Sequence, residues 1–159
     1  MGRMSRYVEL LKIFLVGNGY KRGMYLKKKH YFKERGEHCY FQIYNFGTEP
    51  WLLSFGDNVH IASNVTFASH DITHMMFRYM DNNSSYRKKT GEIRLGNNVF
   101  IGSNSTILYN VSIGDNVIIG AGSLVNRDIP SGSVAAGNPC RVIGSFDNYK
   151  RKVTEELYT

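Results

Sequence analysis

A six-residue repeat between Leu95 and Pro130 restricts the fold of this 159-residue chain more than any other feature. The first position of every hexad is aliphatic, and the fifth position is small or β-branched. The first-position residues are Leu95, Ile101, Ile107, Ile113, Ile119 and Val125. A period of six fits neither a helix nor a single strand, and predicts short strands separated by corners, with one aliphatic side chain per strand in a narrow core. Three sides close a turn, so the repeat predicts an all-β solenoid of stacked parallel coils.

The same register continues more faintly before the clear repeat. Phe55, Ile61 and Phe67 occupy first positions at six-residue spacing, and Ile43 lies twelve residues before Phe55. We therefore expect the β-helical region to cover residues 40–143. Glycine fills the second position in four of the six clear hexads, which indicates corners that need either a positive φ or a close approach between backbones.

The register is interrupted once. Phe67 and Leu95 are 28 residues apart, which is not a multiple of six. We expect a segment of about residues 75–94 to be looped out, because its Asn, Ser and Lys-Lys-Thr-Gly composition is typical of an exposed loop. A long loop that leaves a rigid scaffold is more often functional than decorative, so this interruption is the expected place for chemistry.

Helical segments are expected on both sides of the solenoid. Residues 1–39 form an expected N-terminal cap with helices over 5–16 and 22–33, and residues 144–159 an expected C-terminal unit with a helix over 146–158. The first helix is too short to span a bilayer. These segments would cover the ends of the coil stack.

Charge is distributed unevenly along the chain. The net charge is +7, and residues 1–36 contain ten Lys or Arg against two Glu, so the remainder sums to −1. The solenoid itself is not basic, and no nucleic-acid-binding motif is present, so we expect no nucleic-acid partner. The basic N-terminal region leaves open a weak contact with a membrane surface.

His70 is the strongest candidate for chemistry because it lies where the register breaks, in the run Ser69-His70-Asp71-Ile72-Thr73-His74. An imidazole at a rigid edge beside a loop is suited to act as a general base near neutral pH. Glu49, Asp71 and His74 are candidate supporting residues.

His70 and His74 could form a zinc site with Asp71, Glu49 or Asp81, but the spacing supplies no third His, so no metal is expected. Cys39 and Cys140 form neither a disulfide framework nor a metal-binding pair. We therefore expect a reducing, cytoplasmic setting, with a peripheral position at the inner face of a membrane left open.

Four segments between about Tyr40 and Ile143 carry a family resemblance. They read G-T-E-P-W-L-L-S-F-G-D-N-V-H-I from Gly47, V-T-F-A-S-H-D from Val65, I-G-D-N-V-I-I-G-A-G-S-L-V from Ile113 and A-A-G-N-P-C-R-V-I from Ala135. The chain resembles the hexapeptide-repeat acyltransferases, and more narrowly their galactoside, maltose and surface-polysaccharide O-acetyltransferase branch. The resemblance implies a left-handed parallel β-helix, a homotrimer, and acetyl-CoA bound in a groove between subunits.

The resemblance also implies cofactor-binding residues. Ser103 and Ala121 would contact the pantetheine arm of acetyl-CoA. Asn126 and Arg127 would contact its adenine end, and Arg141 one of its phosphates, for which a guanidinium is well suited.

The function implied is transfer of acetyl from acetyl-CoA to a hydroxyl of a sugar or surface-polysaccharide precursor, with His70 as general base and with both substrates bound at once. Within the enzyme class, the alternatives are acetylation of an amino-sugar nitrogen and of an antibiotic hydroxyl. Outside it, the alternatives are a zinc-dependent hydratase on the same fold and a purely structural solenoid.

Overall fold

The computed structural model describes the backbone of residues 3–156 and the side chains of residues 6–156. Its helices are α1 (Arg3–Leu15), α2 (Gly19–Lys28), α3 (Thr73–Met80) and α4 (Phe146–Glu156), with a 3-10 turn at Pro50–Leu52. Its strands are β1 (Glu34–Arg35), β2 (Tyr40–Phe41), β3 (Leu53–Phe55), β4 (His60–Ile61), β5 (Thr66–Ala68), β6 (His70–Asp71), β7 (Lys89–Thr90), β8 (Ile93–Leu95), β9 (Val99–Ile101), β10 (Thr106–Leu108), β11 (Val111–Ile113), β12 (Val117–Ile119), β13 (Leu124–Val125), β14 (Ser133–Ala136) and β15 (Arg141–Ser145).

Three parallel sheets form the sides of the solenoid. They run β1-β3-β8-β11, β5-β10-β13 and β2-β4-β9-β12-β14, and β15 adds to the last sheet in the antiparallel direction. In the clear repeat strands pair at a separation of 18 residues, as Val99 does with Val117 and Ile107 with Val125, and only the last coil shortens this to 16, as in Ile119 with Ala135. Eighteen residues are three hexads, so one coil has three sides and the parallel three-sided solenoid is confirmed. The left-handed winding stays a prediction.

The core follows the repeat. All six first-position side chains from Leu95 to Val125 are at most 4% exposed. Each contributes about 1.5–3 kcal/mol through the burial of its apolar surface. The N-terminal coils are filled differently, by phenyl rings that pack mostly edge-to-face with centroids 4.8 to 6.4 Å apart. These rings belong to Phe32, Phe41, Phe46, Phe55 and Phe67.

The corners divide two tasks between two residue types. Positive φ falls on asparagines in the fourth position of the hexads, with φ between 55° and 61°. They are Asn98, Asn104, Asn110 and Asn116. The second-position glycines serve close approach instead: a Cβ on Gly102 would lie 2.5 Å from the backbone nitrogen of Ala121 in the next coil. The second-position glycines are therefore explained by close approach between backbones and not by a positive φ.

The N-terminal cap is held by a buried arginine. The guanidinium of Arg22, 8% exposed, donates to the carbonyl oxygens of Ile13, Gly17, Phe41 and Gln42, at 2.6 to 3.3 Å. Buried carbonyl oxygens are rarely left without a donor, and Arg22 supplies one to all four. One side chain therefore links α1, the α1–α2 turn and β2.

Two boundaries in the N-terminal region differ from expectation. Helix α2 begins earlier than the predicted residue 22 because the Asn18 side chain accepts from the backbone N–H of Lys21 at 3.0 Å. It ends earlier than residue 33 because His30 adopts φ 49°. Parallel pairing already begins at β1, which pairs with β3, so the first coil starts at Glu34 rather than at residue 40.

The segment expected to be looped out is more ordered than predicted. Helix α3 lies between β6 and β7, and those two strands pair in an antiparallel ribbon. The helix forms because Asp71 Oδ1 accepts from the Thr73 backbone N–H at 2.6 Å, which satisfies one of its free donors. We refer to residues 69–92 as the excursion. It starts six residues before the predicted loop.

At the other end of the chain, α4 follows β15 and covers most of the predicted terminal helix; residues 157 and 158 of that prediction lie outside the described residues. Among residues 3–156, no helix combines the length and the apolar character that crossing a bilayer requires.

Candidate active site

The excursion leaves the solenoid directly after β5, and His70 is at its start. Ser69 is 2% exposed and continues from the coil, and its carbonyl accepts from the Gly91 backbone N–H at 3.0 Å where the chain returns. His70 then pairs with Thr90 across the antiparallel ribbon. A Cβ on Gly91 would lie 1.9 Å from Asn110 Oδ1, so only glycine allows the return strand to pass this close to the next coil. The ribbon fixes the backbone of His70 at the edge of the rigid stack.

Glu49 lies next to His70 because the chain turns sharply at Pro50 on the preceding coil. Glu49 Oε2 is 2.7 Å from His70 Nδ1 and accepts from the hydroxyls of Thr48, at 2.6 Å, and Ser69, at 2.7 Å. Its other oxygen, Oε1, accepts from Lys88 Nζ at 2.6 Å. All four partners place a donor on this one carboxylate.

These contacts keep Glu49 ionised. Burial of the carboxyl raises its pKa, but the hydrogen bonds from Lys88, Thr48, Ser69 and His70 outweigh that effect and hold the pKa at about 2. An ionised carboxylate can only accept, so the hydrogen between it and His70 belongs to Nδ1. The neutral imidazole therefore carries its free lone pair on Nε2. The side chain of His70 is 26% exposed, which leaves it accessible to a substrate.

Lys88 belongs to the excursion, just before β7. Its ammonium group is the only cation paired with Glu49 among the described residues, and its side chain is 38% exposed. The carboxylate is thus held from both sides, by the coil through Thr48 and by the excursion through Ser69 and Lys88. Because both strands of the ribbon contribute, the position of Glu49 depends on the excursion being folded back.

Asp71 and His74, predicted as supporting residues, are not hydrogen-bonded to His70. Asp71 lies two residues before the start of α3, and the hydrogen bond from the Thr73 backbone, with smaller contributions from Lys89 and His74, lowers its pKa. His74 lies on α3 and its Nδ1 is buried without a partner among the described residues. Within residues 3–156, no three His, Cys, Asp or Glu side chains converge as a metal site would require.

The residues expected to bind acetyl-CoA divide between two corners of the solenoid. Ser103 and Ala121 occupy the same corner of successive coils, where the Gly122 N–H donates to the Ser103 carbonyl at 2.8 Å. Arg141 follows the closing turn that stacks on this corner, through the bond from Cys140 N–H to the Leu124 carbonyl at 2.8 Å. These three side chains are exposed or half-buried and lie along one edge.

The other two residues expected to bind acetyl-CoA, Asn126 and Arg127, lie nearer His70. Asn126 and Arg127 follow β13, which pairs with β10, and β10 in turn pairs with the strand before Ser69. They therefore share the corner from which the excursion leaves. The Ser103 corner is separated from it by one three-residue strand, about 10 Å at 3.3 Å per residue. His70 and the Ser103 edge therefore lie on different corners of the coil stack.

Three contributors to the cluster around Glu49 were not predicted. Thr48 directly precedes Glu49 and Ser69 directly precedes His70, and this adjacency is the only signal for them in the sequence. Lys88 lies in a Lys-rich run that was interpreted as polar loop. Nothing in its spacing distinguishes it from Arg87 or Lys89, because the pairing of β6 with β7 decides which side chain faces Glu49.

Known proteins are similar to this chain in sequence and in fold. Residues 92–127 match the family described as bacterial transferase hexapeptide (six repeats). Protein CapG of Staphylococcus aureus is 45% identical over 112 residues, which are 69% of this chain and 62% of that protein. Galactoside O-acetyltransferase of Escherichia coli (strain K12) is 45% identical over 107 residues, which are 63% of this chain and 47% of that protein. The chain thus spans less than two thirds of the length of these curated relatives.

A solved structure matches more of the chain. The structure of a galactoside acetyltransferase in complex with coenzyme A superposes with a TM-score of 0.66 and 28% identity, covering 94% of this chain and 82% of that chain. The stacked hexads and the fold define a hexapeptide-repeat solenoid. Residues 92–127 thus match the hexapeptide transferase family, and the chain is similar to the hexapeptide-repeat acyltransferases of the branch that contains the galactoside O-acetyltransferases.

Proposed function

We propose that this protein transfers acetyl from acetyl-CoA to a hydroxyl group of a sugar or surface-polysaccharide precursor, with His70 as general base. The observation that carries the proposal is the 2.7 Å contact between His70 Nδ1 and an ionised Glu49. It leaves Nε2 as the proton acceptor, which is the state a general base needs. The named acetyltransferase relatives and the coenzyme A bound in the similar solved structure support the choice of donor.

The reaction needs no covalent enzyme intermediate. His70 Nε2 takes the proton of the acceptor hydroxyl as its oxygen attacks the thioester carbonyl carbon. Glu49 stabilises the imidazolium that forms, because it is an anion in direct contact with Nδ1. The imidazolium then returns the proton to the sulfur as the carbon–sulfur bond breaks. General base catalysis of this kind contributes about 10²- to 10⁴-fold to the rate.

The proposal includes a homotrimer. His70 and the Ser103 edge lie on different corners of one coil stack, so one subunit would supply the base and its neighbour the residues along acetyl-CoA. Ser103, Ala121, Asn126, Arg127 and Arg141 keep the roles that the family resemblance implies. Bringing both substrates into one such groove would supply the orientation part of catalysis.

The decisive experiment follows release of the free thiol of CoA from acetyl-CoA with a panel of glycosides and amino sugars. His70→Gln should lower kcat by about 10²- to 10⁴-fold on the best acceptor. The control His60→Gln should retain wild-type turnover, because His60 lies outward on β4 and contacts Asn58. Full activity of His70→Gln would refute the assignment of the base, and product found only on nitrogen would favour the amino-sugar alternative.

Two further measurements separate the remaining alternatives. Acetyl-CoA should bind with a dissociation constant near the micromolar range, about −8 kcal/mol, with weaker binding by Arg141→Ala but not by Arg151→Ala. Dialysis against a chelator should leave transfer unchanged, whereas a zinc-dependent hydratase would lose its activity. Absence of CoA binding by a folded protein would contradict the transferase proposal.

A further inference from the structure

Helix α1 has one apolar side that is buried and a second apolar side that remains largely exposed. The inner side packs through Ile13, which is fully buried, and its carbonyl accepts from Arg22. The outer side exposes five large apolar side chains, each between 47% and 70% accessible. They are Tyr7, Val8, Leu11, Phe14 and Leu15. We call these five residues the α1 stripe.

The stripe is continuous rather than scattered. Its members lie at i, i+1, i+4, i+7 and i+8, which at about 100° per residue places them within about 120° of the helix circumference. A helix that served only as a cap would need apolar residues on the Ile13 side and polar ones outside. An apolar outer face of this extent is instead typical of a surface that binds a membrane or another protein.

The exposed charges of α1 and of α2, which packs against it, are positive. Lys12 is exposed and borders the stripe on α1 itself. On α2, exposed Met24 lies between exposed Lys21 and Lys28, which adds an apolar side chain flanked by two cations. The one carboxylate of α1, Glu9, accepts from the Tyr25 hydroxyl at 3.1 Å and is only partly exposed, so it weakens this pattern little.

We propose that the α1 stripe is a docking surface for an anionic lipid bilayer, with the helix lying in the plane of the interface. An apolar face bordered by lysines is the pattern of interfacial helices, which insert the apolar side chains and hold anionic headgroups with the cations. Charge complementarity selects this occupant. A second copy packed through the same face would bring two sets of lysines together, and like charges at such short range repel.

The docking surface is joined to the candidate active site. The Phe14 ring contacts the Tyr44 ring edge-on, with centroids 5.3 Å apart, and Arg6 Nη2 donates to the Gly47 carbonyl at 3.2 Å. Gly47 directly precedes Thr48 and Glu49 in the chain. A bilayer beneath α1 would therefore lie beside the loop that positions the base. The docking itself does not depend on the proposed function.

The test is flotation of the full chain with vesicles at pH 7.5 and low salt. Wild-type protein should float with vesicles of equal phosphatidylcholine and phosphatidylglycerol, and at least tenfold less with pure phosphatidylcholine. The variant L11Q/F14Q and the variant K12Q/K21Q should each reduce the bound fraction at least tenfold. The control Y149Q/V153Q changes exposed apolar residues of α4, which also carries lysines, and should bind as the wild type does.

Circular dichroism and light scattering accompany each variant. Unchanged spectra and particle size, together with unchanged transfer to a soluble acceptor, would show that only the docking is lost. Absence of wild-type binding to anionic vesicles would overturn the proposal, as would equal binding by L11Q/F14Q. A smaller particle for L11Q/F14Q would mean that a second copy covers the α1 stripe, which also overturns it.

Discussion

Two corners of the solenoid occupy the same place on successive coils and are built in opposite ways. Ala68 pairs with Leu108, and Ile93 pairs with Val111. Between Leu108 and Val111 the chain turns with residues 109 and 110 alone, whereas between Ala68 and Ile93 it makes the excursion of residues 69–92. The same two strand ends can therefore be joined by two residues or by twenty-four.

This difference separates the residues that stabilise the coil from the residues that form the candidate site. The short corner is closed by Asn110 at φ 58°, and the strands on both sides stay in register. The long corner leaves the strand register equally intact, yet it adds His70 and Lys88 around Glu49. Stability comes from the stacked sides, and the candidate site is an addition at one corner that the stack tolerates.

Replacing the excursion with the short corner should have the largest effect. A chain in which residues 69–92 are exchanged for Tyr-Asn, the pair at 109 and 110, should still form the solenoid because all three sides keep their partners. Transfer should fall below detection, at least 10³-fold, since the base is gone. Circular dichroism, thermal unfolding and the thiol-release assay measure the two outcomes. Failure of this variant to fold would show that the excursion stabilises the stack.

Shortening a core side chain in the sheet β5-β10-β13 should instead lower the stability of the fold and leave the residues of the candidate site in place. Ile107 is fully buried between Phe67 and Val125. Ile107→Ala should lower the free energy of unfolding by about 2–5 kcal/mol. Urea unfolding measures this change. The neighbouring Thr106→Ala, on the same strand with a half-buried side chain, should cost less than 1 kcal/mol, and equal losses would contradict the one-residue-per-side core.

Glu49→Gln should change both activity and acid stability. Transfer should fall about tenfold or more, because the imidazolium loses its anion. The folded-state pKa of Glu49, about 2, lies below its ordinary value of 4.5, so its contribution is complete above pH 4.5 and is lost as the pH falls toward 2. That contribution is on the order of 3 kcal/mol. Unfolding measured from pH 5 to pH 2 should therefore be less pH-dependent in the variant, and an identical slope would count against the network.

Lys88→Met should have the smallest effect. An ion pair with a 38% exposed lysine is worth about 0.2–1 kcal/mol, so turnover at pH 7.5 should fall less than about fivefold. Removing this donor raises the folded-state pKa of Glu49 toward 4.5, so the loss of stability that begins near pH 4.5 should end at a higher pH and be smaller in total than in the wild type. The control Lys89→Met, one residue along β7, should leave both readouts unchanged. A similar change in both variants would mean that general charge, rather than the contact with Glu49, is responsible.

The sequence predicted the solenoid well and the excursion only in part. The burial of periodic positions such as Ile101 and Ile119 could be predicted, because the first position of every hexad points into the same core. The break after Phe67 located the candidate site, and His70 and Glu49 were both singled out. Helix α3, the early start of the coils at Glu34 and the roles of Lys88 and Arg22 were missed, because each depends on a partner at a distance that no spacing rule relates to it.

The sequence by itself determined the three-sided coil, the aliphatic core and the place where the repeat is interrupted, because a local period repeated many times specifies its own neighbours. Only the tertiary structure decided which donors surround Glu49 and hence which nitrogen of His70 is free. It alone also showed that the apolar residues of the α1 stripe stay outside. Hydrogen-bond partners across an irregular loop, and the exposed side of a cap, are set by how elements dock rather than by the pattern within any one of them.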